Sequence, residues 1–253
     1  MSLLSIQNVS KRFGGLQALN DVCIEVQAGQ ITAVIGPNGA GKTTLFNAIT
    51  GFHKADRGSV TFDGERIERL PPHLIAQRGL RRTFQLTKLF GQMTVLENVK
   101  VGCHMITRAE TLDILCRRAF VREEEAMVEE RAQAALAFVG LGSVAQVQAG
   151  ILPHGQRRLL EIARIMVTQP KLALLDEPRT GLNNREVADL KKIIRRIVEQ
   201  GTTVVLVEHD MGLVMELADN IHVLDYGQKI AEGAPAAIKQ NQTVIAAYLG
   251  GEQ

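Results

Sequence analysis

The glycine-rich stretch GPNGAGKTT, residues 36–44, restricts the possible folds of this chain more than any other segment. The apolar run ITAVIG leads into it, and TTLFNAIT, which has helical character, follows it up to Gly51. The spacing of its glycines, lysine and threonine matches the phosphate-binding loop pattern, which needs a strand before it and a helix after it. Because both neighbours are present, the sequence predicts an α/β core that binds a nucleotide.

The loop also predicts particular contacts with phosphate groups. Its glycines let the backbone curl so that successive N–H groups point at the phosphates, and the N-terminus of the next helix adds its positive dipole end. Lys42 is expected to reach the β- and γ-phosphates, and the Thr43 hydroxyl is expected to ligate Mg²⁺. The predicted nucleotide-binding residues of the loop are Gly36, Pro37, Asn38, Gly39, Ala40, Gly41, Lys42, Thr43 and Thr44.

Alternating strand and helix patterns predict how the rest of the chain surrounds the loop. SIQNVS, VCIEV and ITAVIG read as strands, and SVTFDGERI reads as a hairpin that turns at Asp63-Gly64. After Pro170, KLALLD, TTVVLVEH and IHVLDYG read as strands around the helix NREVADLKKIIRRIVEQ, which predicts a parallel sheet. The charged, alanine-rich stretch around 118–141 has a helical period. We therefore predict a core lobe with a β layer (1–94 and 166–253) and an inserted helical subdomain (95–165).

Two acidic residues follow one of the apolar strands. Asp176 ends the run LALLD, which places its carboxylate at the carboxyl edge of the sheet near the loop, where Mg²⁺ prefers hard oxygen ligands. Glu177 comes next and is our candidate for the base that polarises the attacking water. A surface carboxylate pair is the alternative, but the apolar residues before and Pro178 after favour a site. His209, after TTVVLVE, faces the same edge, although a lone loop histidine is usually structural.

A further motif, LPHGQ at 152–156, lies upstream of LALLDEP. Together with the loop it resembles the signature of the ATP-binding-cassette ATPases, in which two cassettes close head to tail and each signature caps the partner's nucleotide. The resemblance gives that capping role to Gly155 and Gln156, ahead of a helix expected near Arg157. The usual family motif is LSGGQ, and Pro153 replaces its serine without offering any hydrogen-bond donor. Either the capping is weaker here, or the change is a habit of the subfamily, whose importers often have LPYGQ or LAYGQ.

Other roles are implied by the resemblance alone. Gln85 in RRTFQ would ligate Mg²⁺ and act as a hinge, where an ordinary surface glutamine is the alternative. Phe13 in KRFGG would stack on adenine, where a phenylalanine packed in the β layer is the alternative. His209 would be the switch histidine that senses the γ-phosphate. The segment 86–104 would form the surface that couples the cassette to membrane subunits.

The resemblance covers nearly the whole chain, and it implies a P-loop cassette with a RecA-like parallel core, an antiparallel β layer and an inserted helical subdomain. The stretches 79–99, 152–170 and 230–250 resemble the ATP-binding subunit of bacterial importers for branched-chain amino acids or related amides and urea. The family implies ATP and Mg²⁺, two membrane permeases, a second cassette or a homodimer, a solute-binding protein, and a place at the cytoplasmic face of the inner membrane. A lipid or lipopolysaccharide transport cassette, a soluble non-transport cassette and a regulatory subunit with little hydrolysis remain alternatives.

The amino-acid composition limits the kinds of partner and compartment that we expect for this chain. The net charge of +2, without a basic stripe and interleaved aromatics, gives no support to nucleic-acid binding. The apolar runs VVLV and LALL are far shorter than the ~20 residues of a membrane span, so membrane contact is expected to go through a partner. Three cysteines are an odd number, which argues against a disulfide framework and favours a reducing compartment.

Overall fold

The computed structural model describes residues 2–83, 89–104 and 119–249. The contacts of the described residues divide the chain into two compact units. The core unit takes Met1–Arg82, Lys171–Pro178 and Ile194–Gln253, and the helical unit takes Thr83–Pro170 and Arg179–Ile193. This division differs from the expected one, because the helical unit begins at 83 and includes 179–193, which the sequence pattern assigns to the core lobe.

The strands and helices follow one another along the chain in an order that mixes the two units. The strands are β1 (Ser2–Phe13), β2 (Leu16–Gln27), β3 (Ile31–Ile35), β4 (Arg57–Phe62), β5 (Glu65–Arg66), β6 (Leu80–Arg82), β7 (Leu172–Asp176), β8 (Thr203–Val207), β9 (Asn220–Asp225) and β10 (Gln228–Gly233). The helices are α1 (Lys42–Ile49), α2 (Pro72–Gln77), α3 (Val95–Cys103), α4 (Ala119–Phe138), α5 (His154–Met166), α6 (Asn184–Glu199), α7 (Met211–Leu217), α8 (Pro235–Gln240) and α9 (Gln242–Leu249).

One sheet of the core unit is antiparallel, with strand order β2-β1-β4-β5. β4 and β5 pair across Asp63 and Gly64, whose φ values of 49° and 81° are those of a tight hairpin turn. The predicted hairpin is therefore confirmed. The buried faces of β1, β2 and β4 contribute residues such as Leu4, Ile24 and Phe62 to the main apolar cluster of this unit.

The other sheet has the order β10-β9-β3-β8-β7-β6, and all its neighbouring pairs are parallel except β9 with β10. Every residue of β3, β7 and β8 is buried, as expected for strands covered on both faces. The predicted parallel core is confirmed, whereas the antiparallel edge strand β10 and the short strand β6 were not predicted.

The register of this sheet brings three strand ends together. Val207 at the end of β8 pairs with Asp176 at the end of β7, and also with Val34 in β3. The glycine-rich loop leaves β3 one residue later, after Ile35. The loop, the acidic pair and the segment after β8 therefore leave the sheet at the same carboxyl edge, which is where ligands bind in open α/β sheets.

The helical unit contains α3, α4, α5 and the first part of α6. Two short 3₁₀ turns, Gly142–Val144 and Ala149–Ile151, precede α5. α3 begins with a capping box, in which the Thr94 hydroxyl accepts from the N–H of Glu97 and the Glu97 carboxylate accepts from the N–H of Thr94. Among the described residues of this unit, the only strand-like pairing is an isolated bridge between Thr94 and Gln148.

Within the described part of the chain, no helix combines the length and apolar character needed to cross a membrane.

Candidate nucleotide site

The glycine-rich loop packs tightly against its own unit. Gly41 has φ = 100°, and a Cβ there would lie 2.6 Å from the carbonyl oxygen of Ala18 and 3.0 Å from Cδ2 of Leu19. The N–H of Gly227 also donates to the carbonyl of Ala40 at 3.1 Å. These contacts hold the loop between β2 and the β9–β10 turn, and they require glycine at position 41.

The start of α1 provides the N–H groups that an anion would meet. Its N-cap residue is Gly41, which offers no side-chain acceptor, and its first turn contains no acidic residue. The first N–H groups of a helix have no intrahelical partner, and the helix dipole makes this end positive. Asn38, Gly39 and Thr43 are exposed, so a phosphate chain has access to the loop. The loop therefore has the polarity and the openness of a phosphate site.

Lys42 lies folded over the loop. Its Nζ donates to the carbonyl oxygens of Gly36 at 2.7 Å and Pro37 at 2.9 Å, and the residue is only 8% exposed. Burial lowers the pKa of Lys42, while the negative charges of Glu177 and Asp176 act against that decrease. The ammonium group predicted to reach phosphates therefore lies in the field of both predicted acidic residues.

Asp176 is the last residue of β7 and is 3% exposed. Its Oδ2 accepts from Nη2 of Arg82 at 2.7 Å, and the Arg82 side chain is as deeply buried as its partner. Sequence reasoning missed Arg82. Both arginines of the three-residue strand Leu80–Arg82 are partly buried, and the pattern Leu-Arg-Arg does not show that Arg82 is the one that pairs with Asp176.

Glu177 has an unusual backbone conformation. Its φ is +46°, and its N–H donates to the carbonyl of Val207 at 2.9 Å. A non-glycine residue with positive φ is uncommon, and such strain concentrates at functional sites. The bond to β8 keeps Glu177 at the edge of the sheet, directly after the Asp176 carboxylate.

His209 and Phe13 are both accessible. His209 is exposed two residues after β8, and Asp210 next to it caps α7 by accepting from the N–H of Leu213. Phe13 ends β1 and is 42% exposed. Its ring meets His53 edge to face with 5.3 Å between centroids, and Nζ of Lys11 lies 5.3 Å from its centroid. Phe13 is therefore not packed inside the β layer.

The signature segment belongs to the helical unit and differs from the prediction in one respect. α5 begins at His154, not near Arg157, and the first intrahelical bond runs from the N–H of Arg157 to the carbonyl of Pro153. The proline ring fixes φ, here −55°, at a value suited to a helix start. Gly155 and Gln156 consequently lie in the first turn, where N–H groups have no intrahelical acceptor.

Two contacts join the segment 179–193 to the signature segment. A Cβ at Gly181 would lie 2.6 Å from Cε1 of His154, so the histidine ring covers this residue. A side chain at Gly155 would overlap the carboxylate of Glu186, which accepts from the N–H of Asn183 at 2.9 Å. A Cβ at position 155 would therefore displace the Glu186 carboxylate from its place beside the start of α5.

Gln85, the predicted magnesium ligand and hinge, lies outside the described residues, as do Leu86, Thr87 and Lys88 of the predicted coupling surface. The rest of that surface, 89–104, is described. Asn98 stabilises the turn at Phe90, because its side chain accepts a hydrogen bond from the N–H of Phe90 and donates one to the carbonyl of Phe90. Phe90 itself is 49% exposed.

A phosphate-binding loop, an acidic pair after a buried parallel strand, an antiparallel β layer and a helical unit that carries the signature together define an ATP-binding cassette. Residues 19–180 match the ABC transporter family, and the chain belongs to that family. Residues 228–253 match the C-terminal family described as branched-chain amino acid ATP-binding cassette transporter. The predicted fold class is confirmed, and the chain is an ABC-type ATPase.

Individual relatives resemble the chain over its whole length. It is 45% identical over 249 residues to the high-affinity branched-chain amino acid transport ATP-binding protein BraF of Pseudomonas aeruginosa, covering 98% of each chain. It is 43% identical, with the same coverage, to the high-affinity branched-chain amino acid transport ATP-binding protein LivG of Salmonella typhimurium. The crystal structure of the ADP conformation of MJ1267, an ATP-binding cassette of an ABC transporter, superposes with a TM-score of 0.86 at 35% identity over 99% of each chain.

Proposed function

We propose that this chain hydrolyses ATP to drive a bacterial inner-membrane importer for branched-chain amino acids. The observation that carries the catalytic part is the cluster at the carboxyl edge of the core sheet, where Asp176 and Glu177 are both held beside Val207 and the buried Lys42 ammonium lies over the loop. The solute class is supported by the 45% and 43% identity to branched-chain amino acid transport proteins over almost the whole chain.

The loop N–H groups and the start of α1 would hold the phosphates of ATP. Lys42 would exchange its two carbonyl contacts for phosphate oxygens, and the exposed ring of Phe13 would stack on adenine. The Thr43 hydroxyl and the Asp176 carboxylate are hard oxygen donors, which suits them to Mg²⁺, and Gln85 is proposed as a further ligand. When bound, this ion supplies positive charge to the phosphate oxygens during transfer.

Glu177 would orient the attacking water and accept its proton. The positive φ and the bond to Val207 fix the residue before substrate arrives, which is the preorganisation that a general base needs. His209, exposed at the same edge, would contact the γ-phosphate and respond to its loss.

The assembly would pair two cassettes, this chain with itself or with a homologous ATPase, so that Gly155 and Gln156 cap the partner's nucleotide. Their place in the first turn of α5 supports this role, because free N–H groups and the dipole end attract a phosphate. Two permease subunits would contact the surface 86–104, and a solute-binding protein would deliver the amino acid from outside. The chain would lie at the cytoplasmic face of the membrane, held there by the permeases.

The catalytic role is tested by Glu177→Gln, which keeps the size of the side chain and removes its basicity. We expect ATP binding to be retained and turnover in the assembled complex to fall by at least about 10²-fold. Glu199→Gln, an exposed change at the end of α6 in the same unit, is the matched control and should leave turnover unchanged. Near wild-type hydrolysis by Glu177→Gln would refute the assignment.

The transport role is tested by purifying the tagged chain from native membranes in mild detergent and identifying its companions by mass spectrometry. Two polytopic membrane proteins together with a cassette dimer are expected. The complex is then reconstituted in vesicles, and ATP-dependent uptake of labelled leucine is compared with uptake of a short amide and of urea. Recovery of soluble partners alone, or uptake of the amide or urea in preference to leucine, would contradict the proposal.

A further inference from the structure

Arg82 is a buried arginine that the proposed mechanism does not use. Its side chain is 6% exposed, and its guanidinium group is held on several sides. Nη2 donates to Oδ2 of Asp176 at 2.7 Å, and Nη1 donates to Oδ1 of Asn47 at 2.7 Å. The guanidinium carbon lies 5.4 Å from the centre of the Phe46 ring, within cation–π distance. These contacts all lie within the core unit.

The partners of Arg82 come from two elements that carry the proposed site. Asp176 ends β7, whereas Asn47 and Phe46 lie on α1, the helix that starts at Lys42 in the phosphate-binding loop. Nη1 is also 3.4 Å from the hydroxyl of Thr50, one turn further along α1. Arg82 therefore ties the acidic strand end to the helix that positions the loop.

Because Asp176 is buried, its carboxylate depends on the hydrogen bond from Arg82. A carboxylate at 3% exposure has lost most of its hydration, and a buried charge of this kind needs a partner with good geometry. A guanidinium group offers a planar, rigid set of donors, so it fixes the orientation of a carboxylate as well as compensating its charge. The second anchor at Asn47 prevents the guanidinium from rotating with the carboxylate.

We propose that Arg82 is a positioning residue for the magnesium site, because it fixes the orientation of the Asp176 carboxylate relative to α1. The inference rests on the proposed function, which makes Asp176 a ligand of Mg²⁺. Partners that hydrogen-bond a metal-ligating carboxylate tune metal affinity, and their loss typically lowers it about 10–100-fold. Arg82 would thus act on the metal through Asp176, without contacting metal or nucleotide.

The test compares the affinity for a fluorescent ATP analogue in excess Mg²⁺ with the affinity in EDTA, using the full chain. Arg82→Lys keeps the positive charge but replaces the planar guanidinium, whose two nitrogens bond Asp176 and Asn47 separately, by a single ammonium without fixed geometry. We expect the gain in affinity that Mg²⁺ provides to fall about tenfold or more, while the affinity in EDTA changes less than about twofold. A purely structural role would lower the thermal midpoint and leave this ratio unchanged.

Two further variants keep the test decisive. Asn47→Ala leaves both Arg82 and Asp176 in place and removes only the second anchor, so a smaller loss of the Mg²⁺ gain is expected even if Arg82→Lys folds poorly. Arg78→Lys alters an arginine of the same unit whose carboxylate partner, Glu65, is exposed, and it should leave the ratio unchanged.

Asp176→Asn separates this inference from the proposed function. If it abolishes the Mg²⁺ gain while Arg82→Lys and Asn47→Ala leave the gain intact, Asp176 is a magnesium ligand and the inference about Arg82 is wrong. If Asp176→Asn itself leaves the gain intact, the proposed magnesium site is wrong as well. The inference is supported if all three variants reduce the gain in affinity that Mg²⁺ provides. The loss should then be largest for Asp176→Asn, smaller for Arg82→Lys and smallest for Asn47→Ala.

Discussion

Asn98 is a fully buried amide on α3, and it organises the turn that leads into this helix. Its Oδ1 accepts from the N–H of Phe90 at 2.9 Å, and its Nδ2 donates to the carbonyls of Phe90 at 3.0 Å and Thr94 at 2.9 Å. Because one buried side chain bonds backbone groups at both ends of this turn, Phe90 and Thr94, replacement of Asn98 should destabilise the helical unit strongly.

The size of the effect follows from those bonds. Each of the three well-formed hydrogen bonds contributes about 1 kcal/mol net, so Asn98→Ala should lower the free energy of unfolding by about 3 kcal/mol. The N–H of Phe90, left without its acceptor, would add to this loss if water cannot reach it, whereas the carbonyl of Phe90 still accepts from the N–H of Met93. Asn98→Asp keeps the shape but places a carboxylate oxygen against the two carbonyls, so at neutral pH it should cost at least as much. The deficit of Asn98→Asp should shrink in acid, where the protonated group can donate again.

The measurement is urea unfolding of the purified chain followed by far-ultraviolet circular dichroism. Asn184→Ala removes an exposed asparagine of the same unit and should change stability by less than about 0.5 kcal/mol. If Asn98→Ala costs less than about 1 kcal/mol with an unchanged denaturant slope, the amide does not stabilise the turn and the reasoning is wrong. If the stability that Asn98→Asp loses becomes larger in acid, the stabilising role of the two hydrogen bonds donated by Nδ2 is refuted.

Two other predictions concern the exposed ring of Phe13 and the buried ring of His222. Phe13→Ala should weaken ATP binding by about 0.5–1.5 kcal/mol, because stacking on adenine is lost. Phe90→Ala, which changes a similarly exposed ring in the helical unit, should leave ATP binding unchanged. Equal ATP affinities of the two variants would contradict the adenine assignment. Burial lowers the pKa of His222, although Glu232 opposes the shift, so the unfolded chain takes up a proton that the folded chain does not. The free energy of unfolding should therefore decrease as the pH falls below about 6.5. His222→Gln should make the urea midpoint depend less on pH in that range. An unchanged pH dependence would show that other groups cause it.

The nucleotide loop and the parallel strands could be predicted because their signals are local. ITAVIG, LALLD and TTVVLV are continuous apolar runs that end at polar residues, and such runs are typical of strands buried on both faces. β6 gave no such signal. Its three residues include two arginines, and they form a strand because β7 lies beside them. Secondary structure that depends on a partner strand cannot be read from the segment alone.

The start of α5 shows another limit of local reasoning. Gly155 is an unfavourable helix residue, so the pattern places the helix start after it, near Arg157. In the structure Gly155 lies inside the first turn, and the carboxylate of Glu186 packs against it. The contact joins segments that are far apart in the sequence, and so does the contact between His154 and Gly181. Contacts of this kind cannot be read from the local pattern of either segment.

The charges of the proposed site indicate what a nucleotide would require from the loop backbone and from a metal ion. Lys42 and Arg82 are the cations, and Asp176 and Glu177 are the carboxylates, so these four groups nearly cancel one another before a nucleotide arrives. ATP brings several negative charges into this balanced cluster, and the two carboxylates oppose its entry. Dipoles of the loop N–H groups, and in the proposed site a positive ion held by Asp176, would therefore supply the attraction. An Arg82 variant that keeps the charge but loses the geometry separates these two contributions, since only the metal-dependent part should fall.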